Sequence, residues 1–158
     1  MNNLVFDDLI IKKLNSENAE ELSGLLKGED KEYSKYFIPF DFDFQTILHI
    51  LVNLQKDSFW GIYTGDKLVG FYMLRGFDKG YDVPSYGVWI SKIFAGNGLS
   101  KLTLQHAISY CRINHIKEIM LKVHPENFIA KKIYEDFGFM RQGIDPKNNH
   151  IIYRKKLL

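Results

Sequence analysis

One stretch constrains the fold of this chain more than any other: Tyr86-Gly87-Val88-Trp89-Ile90-Ser91-Lys92-Ile93-Phe94-Ala95-Gly96-Asn97-Gly98-Leu99-Ser100. From Tyr86 to Phe94 it is apolar and rich in aromatic and β-branched residues, which predicts a strand. Gly96-Asn97-Gly98 predicts a tight turn, because glycine has no Cβ and lets the backbone fold sharply and approach a ligand. Beyond it, Leu104, Ala107, Ile108 and Cys111 share one stripe at helical spacing, so a helix is expected from about Leu99 to Asn114. Strand, glycine turn and helix start make an anion trap. The first amides of a helix have no intrahelical partner, and the helix dipole favours negative charge there. Gly-Asn-Gly alone also fits an ordinary strand-to-helix turn.

The flanking segments alternate in the same way. Leu4-Val5-Phe6 and Leu9-Ile10-Ile11 predict a first strand or hairpin arm, interrupted by Asp7-Asp8. Asn15-Ser16 offers caps for a short helix carrying Leu22, Leu25 and Leu26 and ending near Gly28. Residues 30–44 gather Tyr33, Tyr36, Phe37, Phe40, Phe42 and Phe44 around Pro39, either as a loop pinned to the core or as an aromatic lid over an acceptor pocket. Asp43 can cap a second helix with Ile47, Ile50, Leu51 and Leu54 on one face. Phe59–Tyr63 and Leu68–Leu74 flank a Gly65-Asp66 turn as a hairpin. Arg75–Ser85 is a polar connection. Glu118–Val123 is a strand, Asn127 caps a helix from Phe128 to about Asp136, and Gly138–Gln142 and His150–Lys155 are strands joined by the turn residues 145–149. The fold class is α+β with α/β/α layers: a mixed, mostly antiparallel sheet of about six or seven strands flanked by about four helices.

The 158 residues suit one domain, 1–158, and the 46% hydrophobic content with 4 Pro excludes a disordered chain. Basic and acidic residues number 21 and 19, so no global basic field draws in nucleic acid. The single cysteine, Cys111, excludes a disulfide framework and a multi-cysteine zinc site, and no metal is expected. It lies on the helix stripe and reads as a small core residue. Neither a leader-like segment nor an 18-residue apolar run is present, so the expectation is a cytoplasmic protein without a membrane partner.

A second motif spans Val123 to Phe139. Ala130, Ile133, Tyr134 and Phe137 share a helical face, Asn127 sits one turn earlier, and Gly138 is placed to end the helix in left-handed geometry. On the helix alone, Tyr134 fits a buried core tyrosine. Together the two motifs resemble the GNAT family of N-acetyltransferases, from about residue 4 to the end. The family's Asn-x-x-Ala-x-x-x-Tyr-x-x-x-Gly-Phe signature is met by Asn127, Ala130, Tyr134, Gly138 and Phe139. Its Arg/Gln-x-x-Gly-x-Gly/Ala signature falls on Ala95–Ser100, with Gly98 matching and Ala95 and Ser100 departing. Losing Arg/Gln removes a side-chain contact but no amide.

The resemblance implies that acetyl-CoA is the co-substrate. The backbone of Val88, Trp89 and Ile90 would pair with its pantetheine arm, and the amides of Gly96, Asn97, Gly98, Leu99 and Ser100 would cradle its pyrophosphate. Asn127 would contact the pantetheine, and Tyr134 would place its hydroxyl at the sulfur. Lys101, Lys131 and Lys132 are candidates for the 3′-phosphate, or solvated surface lysines. The implied reaction is attack of a neutral amine on the thioester. An amide near Ile90 would stabilise the oxyanion and Tyr134 would protonate the leaving thiolate. Asp78, Tyr81, Asp82, Tyr86 and His124 are candidate bases, beside an ordered water.

Residues 75–87 look like a segment of family members that act in surface-polysaccharide pathways. Lys122 stands where relatives that acetylate ribosomal proteins tend to carry glutamate. Both favour a small-molecule amine, such as a nucleotide-linked amino sugar, over a protein N-terminus. Tyr36, Phe37, Asp78, Tyr81 and Asp82 would line its site. A homodimer is compatible with the family. A non-catalytic acyl-CoA-binding module is the competing class, and the presence of Tyr134 argues against it.

Overall fold

The computed structural model describes residue 6 and residues 8–158. Leu4 and Val5 of the first predicted strand arm lie outside the described residues. The strands are β1 (Leu9–Lys13), β2 (Ser58–Thr64), β3 (Lys67–Arg75), β4 (Ser85–Ile90), β5 (Glu118–Val123), β6 (Met140–Ile144) and β7 (Ile151–Lys156). The α-helices are α1 (Ala19–Lys27), α2 (Phe44–Val52), α3 (Leu99–Ile113) and α4 (Phe128–Asp136). The strands form one seven-stranded sheet in the order β1-β2-β3-β4-β5-β7-β6. The pairs β1/β2, β5/β7 and β6/β7 are antiparallel and β4/β5 is parallel, which makes the sheet mixed.

The chain divides into two compact units, Met1–Met73 with Val88–Ser100, and Leu74–Gly87 with Lys101–Leu158. In the first, the cap expected at Asp43 forms, whereas Asn15 caps a 3₁₀ turn and not α1, whose own N-cap, Asn18, makes no side-chain cap bond. Asn15 Oδ1 accepts from the Glu17 amide at 2.9 Å and opens a 3₁₀ turn, Ser16–Asn18. Asp43 accepts from the Thr46 amide at 3.0 Å and from its hydroxyl at 2.7 Å, which starts α2. The inner faces of α1 and α2 bury Leu22, Leu26, Ile47 and Leu51 in one cluster with Phe59, Phe71 and Met73. Residues 30–43 hold only turns, and Tyr33, Phe37, Phe40 and Phe42 pack against that same cluster. A second cluster joins Ile62, Val69, Ile90, Phe94 and Leu99.

In the second unit the predicted stripe of α3 is buried, with Leu104, Ala107 and Cys111 at 0% exposure. Ile119, Leu121 and Val123 of β5 are buried as well. Asp145, in the turn after β6, takes the Lys122 amine at 2.8 Å and the Lys147 amide at 2.9 Å.

The largest boundary differences from the sequence expectation lie at the end of β4, the end of α2 and the start of β6. The strand expected to reach Phe94 stops at Ile90, and Lys92–Phe94 is a 3₁₀ turn. There Glu29 takes the Ser91 hydroxyl and the Lys92 amide, so a side chain replaces a ladder partner. Leu54 lies beyond α2, because Asn53 caps its end. β6 begins at Met140 rather than Gly138, since Gly138 adopts φ +87° to end α4, and a register shift between Arg141 and Gly143 carries β6 on to Ile144. Among the described residues no helix is long and apolar enough to cross a membrane.

Candidate active site

The end of β4 presents its backbone in two directions. The Ser91 amide donates to Val69 O at 2.8 Å, and a Cβ built on Gly70 would lie 2.7 Å from Trp89 O. Only glycine at position 70 allows this close approach of β3 to β4. Residues 89 and 91 thus turn their amide and carbonyl toward β3, and strand alternation turns those of Val88 and Ile90 to the other edge. On that edge the Ile90 carbonyl accepts from the Tyr33 hydroxyl at 2.5 Å. Trp89 is buried, and its Nε1 donates to Ser34 Oγ at 3.1 Å.

After the 3₁₀ turn comes the glycine loop. Gly96 and Gly98 hold φ of +78° and +87°, a region that costs a side-chain-bearing residue about 1–2 kcal/mol. Asn97 braces the loop from within, its Nδ2 donating to Phe94 O and Ala95 O, each at 3.2 Å. The backbone amides of Gly96, Asn97 and Gly98 donate to no acceptor among the described residues, and all three residues are exposed. Leu99 and Ser100 open α3 directly behind them. Successive unengaged amides leading into a helix N-terminus form a concavity for an anion. Ala95 is exposed and extended, with φ −66° and ψ 152°, and its methyl group takes no part in the loop's hydrogen bonds.

In the second unit, the Asn127 side chain accepts from the Ala130 amide at 3.3 Å and caps α4. Two turns on, the Tyr134 ring packs edge-on to Tyr86, with centroids 6.4 Å apart, and to Phe139, 5.9 Å apart. Tyr134 is 9% exposed, yet its hydroxyl bonds to nothing among the described residues. Because no buried side-chain oxygen or nitrogen among the described residues lacks a partner, that hydroxyl reaches the surface. Burial of the ring pushes its pKa above the usual tyrosine range, so the oxygen keeps its proton.

The other candidates are distributed as follows. Phe37 is part of the aromatic packing, 5.6 Å from Phe71 and 6.2 Å from Phe42, and Tyr36 lies half-buried under the Lys35 amine. Asp78, Tyr81 and Asp82 are exposed in and after a 3₁₀ turn, Phe77–Lys79. The Tyr86 hydroxyl is bonded to Thr103 Oγ1 at 3.1 Å. His124 Nδ1 accepts from the Glu126 amide at 3.1 Å, a local turn bond. Lys131 donates to Pro125 O and Lys132 pairs with Asp136, whereas Lys101 is exposed. Among the described residues no group of three or more His, Cys, Asp or Glu could hold a metal ion. Pattern reading passed over Glu29, and it gave Tyr33 no role beyond the aromatic loop. Both reach β4 across 57 or more positions, and no periodicity signals such a contact.

No curated protein matches this sequence. Solved structures share its fold. The paiA N-acetyltransferase of Thermoplasma acidophilum, in complex with coenzyme A, is 21% identical, with 94% of this chain and 99% of that chain aligned at a TM-score of 0.75. The ribosomal-protein-S5-alanine acetyltransferase of Vibrio fischeri is 16% identical, with 97% and 95% aligned at 0.79. The spermidine N-acetyltransferase of Vibrio cholerae, in complex with CoA and spermine, is 18% identical, with 92% of each chain aligned at 0.74. The sequence profile of the acetyltransferase (GNAT) family matches residues 21–139. That span takes in the aromatic loop, the end of β4, the glycine loop and the whole of α4, and on that extent the chain belongs to the GNAT family, whose members move an acetyl group from acetyl-CoA to an amine.

Proposed function

We propose that this chain, acting as one domain in the cytoplasm, acetylates the primary amine of a small molecule of the amino-sugar class. The observation that carries a catalytic reading is the Tyr134 hydroxyl, which is ring-buried, protonated, open to the surface and unengaged. A module that only bound acyl-CoA would have no use for a proton donor there.

Acetyl-CoA, when bound, supplies a thioester carbonyl open to attack by an amine. The unengaged amides of Gly96, Asn97 and Gly98, backed by Leu99 and Ser100 at the helix start, suit its pyrophosphate. The backbone of Val88, on the edge turned away from β3, is assigned to the pantetheine. So is the Asn127 amide nitrogen, since the Asn127 oxygen is spent on the helix cap. The Ile90 amide is assigned to the carbonyl oxygen, where a preorganised donor has the largest effect as charge develops. Tyr134 donates its proton to the departing sulfur. The Tyr86 hydroxyl is bonded to Thr103 and His124 to its own turn, so the proton of the amine is assigned to water.

The small-molecule preference rests on β5. Lys122 is tied to Asp145 at 2.8 Å, so that position carries an ion pair and no free carboxylate for a peptide amine. The named relatives act on a ribosomal protein in one case and on spermidine in another. The deciding experiment is therefore thiol release from acetyl-CoA across amino sugars, polyamines, amino acids and N-terminal peptides. Turnover led by an amino sugar is expected. Turnover led by a peptide overturns the acceptor assignment. Tight acetyl-CoA binding without turnover on any amine favours the binding module.

A further inference from the structure

We propose that Glu29 and Tyr33 are positioning residues for acetyl-CoA, Tyr33 fixing the Ile90 peptide and Glu29 fixing the approach to the glycine loop. The inference rests on the assignment of Ile90 and Gly96–Gly98 made above.

The segment that leaves α1 grips the end of β4 in four places. Glu29 Oε1 accepts from the Ser91 hydroxyl at 3.0 Å and from the Lys92 amide at 2.9 Å. The Tyr33 hydroxyl donates to Ile90 O, and Ser34 Oγ accepts from Trp89 Nε1. Asp30 prepares the grip, its Oδ1 accepting from the Tyr33 amide at 2.7 Å. The Tyr33 ring then stands edge-on to Trp89, with centroids 6.1 Å apart at 79°. Burial, and secondarily the Glu29 charge, push the pKa of Tyr33 above the usual range, which keeps the proton its bond requires.

The consequence for Ile90 is geometric. A peptide unit is planar. The Ile90–Ser91 unit is pinned at both ends, its carbonyl by Tyr33 on the outer edge and its amide by Val69 O on the inner edge. Its tilt is therefore set, and the Ile90 amide follows across a single φ/ψ pair. Without Tyr33 the Ile90 carbonyl would lie on an open edge, free to turn toward water or a ligand. Glu29 acts one residue further on. By taking the Lys92 amide it stops the strand and starts the 3₁₀ turn whose carbonyls at Phe94 and Ala95 hold Asn97, and with it the loop. The two residues thus act on opposite ends of one ligand. Tyr33 acts where the acetyl group lies, and Glu29 acts where the pyrophosphate lies.

Calorimetric titration with acetyl-CoA and with CoA separates these roles from a merely structural one. In Tyr33→Phe, acetyl-CoA binding should weaken about tenfold and CoA binding less than about twofold, because only the acetyl carbonyl meets the Ile90 amide; tenfold corresponds to the loss of one ordinary hydrogen bond. In Glu29→Gln, both ligands should weaken alike, about fivefold, since both carry the pyrophosphate. Ser34→Ala removes a bond from the same segment without touching Ile90 or Lys92, and should leave both affinities within about twofold while lowering the melting temperature about as much as Tyr33→Phe does. In the ligand-free protein the Lys92 amide should exchange at least about tenfold faster in Glu29→Gln than in the parent. Equal weakening of both ligands by Tyr33→Phe, no weakening by either variant, or a selective loss reproduced by Ser34→Ala would overturn the proposal. If Tyr33→Phe does not fold, Glu29→Gln and the exchange measurement still decide the second half. A parent protein that binds neither ligand sinks the underlying assignment instead.

Discussion

Replacing Tyr134 by phenylalanine separates chemistry from packing with a single atom. The ring lies between Tyr86 and Phe139 and is retained in the variant. The hydroxyl has no partner among the described residues and reaches the surface, so the fold loses no hydrogen bond with it. The stability change should stay below about 1 kcal/mol. For a domain of this size that is a melting shift of about 2–4 °C at most. Turnover should fall far more. A positioned proton donor contributes about 10²–10⁴ in rate, and at about 1.36 kcal/mol per decade that is roughly 2.7–5.4 kcal/mol of barrier. The assay is thiol release from acetyl-CoA with the best amine of the panel, run beside thermal melts and acetyl-CoA titration. The pH dependence gives a second reading. Burial raises the Tyr134 pKa, so the proton is retained through the pH range where a free tyrosine near 10 would lose it. The proton donor should therefore impose no alkaline loss of rate up to about pH 10. Below the unfolded value near 10 the group is protonated in both states, and above it the unfolded chain releases its proton first, so the fold weakens as pH rises. Normal turnover by Tyr134→Phe at every pH would refute the proton-donor role. So would a loss of turnover matched by an equal loss of acetyl-CoA affinity or of fold.

Gly98→Ala should lower CoA affinity by about tenfold, because φ is +87° and a Cβ there meets open space, so the cost is backbone strain that turns the loop amides away; unchanged affinity in a folded variant would discount the loop as the pyrophosphate site. Asp145 is held below the usual carboxylate range, chiefly by the Lys122 amine and then by the Lys147 amide, so its stabilisation is present above about pH 4 and lost as pH falls through the folded value. Asp145→Asn should therefore flatten the acid side of the melting curve, and an unaltered acid side would argue against that pairing. Cys111 is fully buried, and burial pushes its thiol up to about 11. A disulfide reagent at pH 8 should label the native protein at least about a hundredfold slower than the unfolded chain, and rapid stoichiometric labelling of the folded protein would contradict that burial.

Much of the scaffold was legible in the sequence because its signals are local. The cap at Asp43, the stripe of α3, the Gly65-Asp66 turn and the span of α4 each follow from spacing within a few residues, and each falls where expected. The family signature from Asn127 to Phe139 is local too, and it is borne on a helix with both of its expected ends. Boundaries set by distant partners were not legible. Apolar patterning runs on to Phe94, but the strand stops at Ile90 because Glu29 takes the Ser91 hydroxyl and the Lys92 amide. The aromatic residues 33–42 carry no period, so their choice between lid and core was open. Packing of Phe37, Phe40 and Phe42 against the α1/α2 cluster makes them core-facing.

The sequence by itself determined which elements form, the glycine turn into α3 and the tyrosine in the second turn of α4. Only the tertiary structure decided that the Tyr134 hydroxyl stays unengaged, that Val88 and Ile90 turn their backbone away from β3, and that Tyr33 claims the Ile90 carbonyl. The physical reason is the range of the interactions. Helix caps, turns and amphipathic stripes are settled among neighbours in the chain. Whether a polar group finds a partner depends on which distant segments the packed core brings beside it.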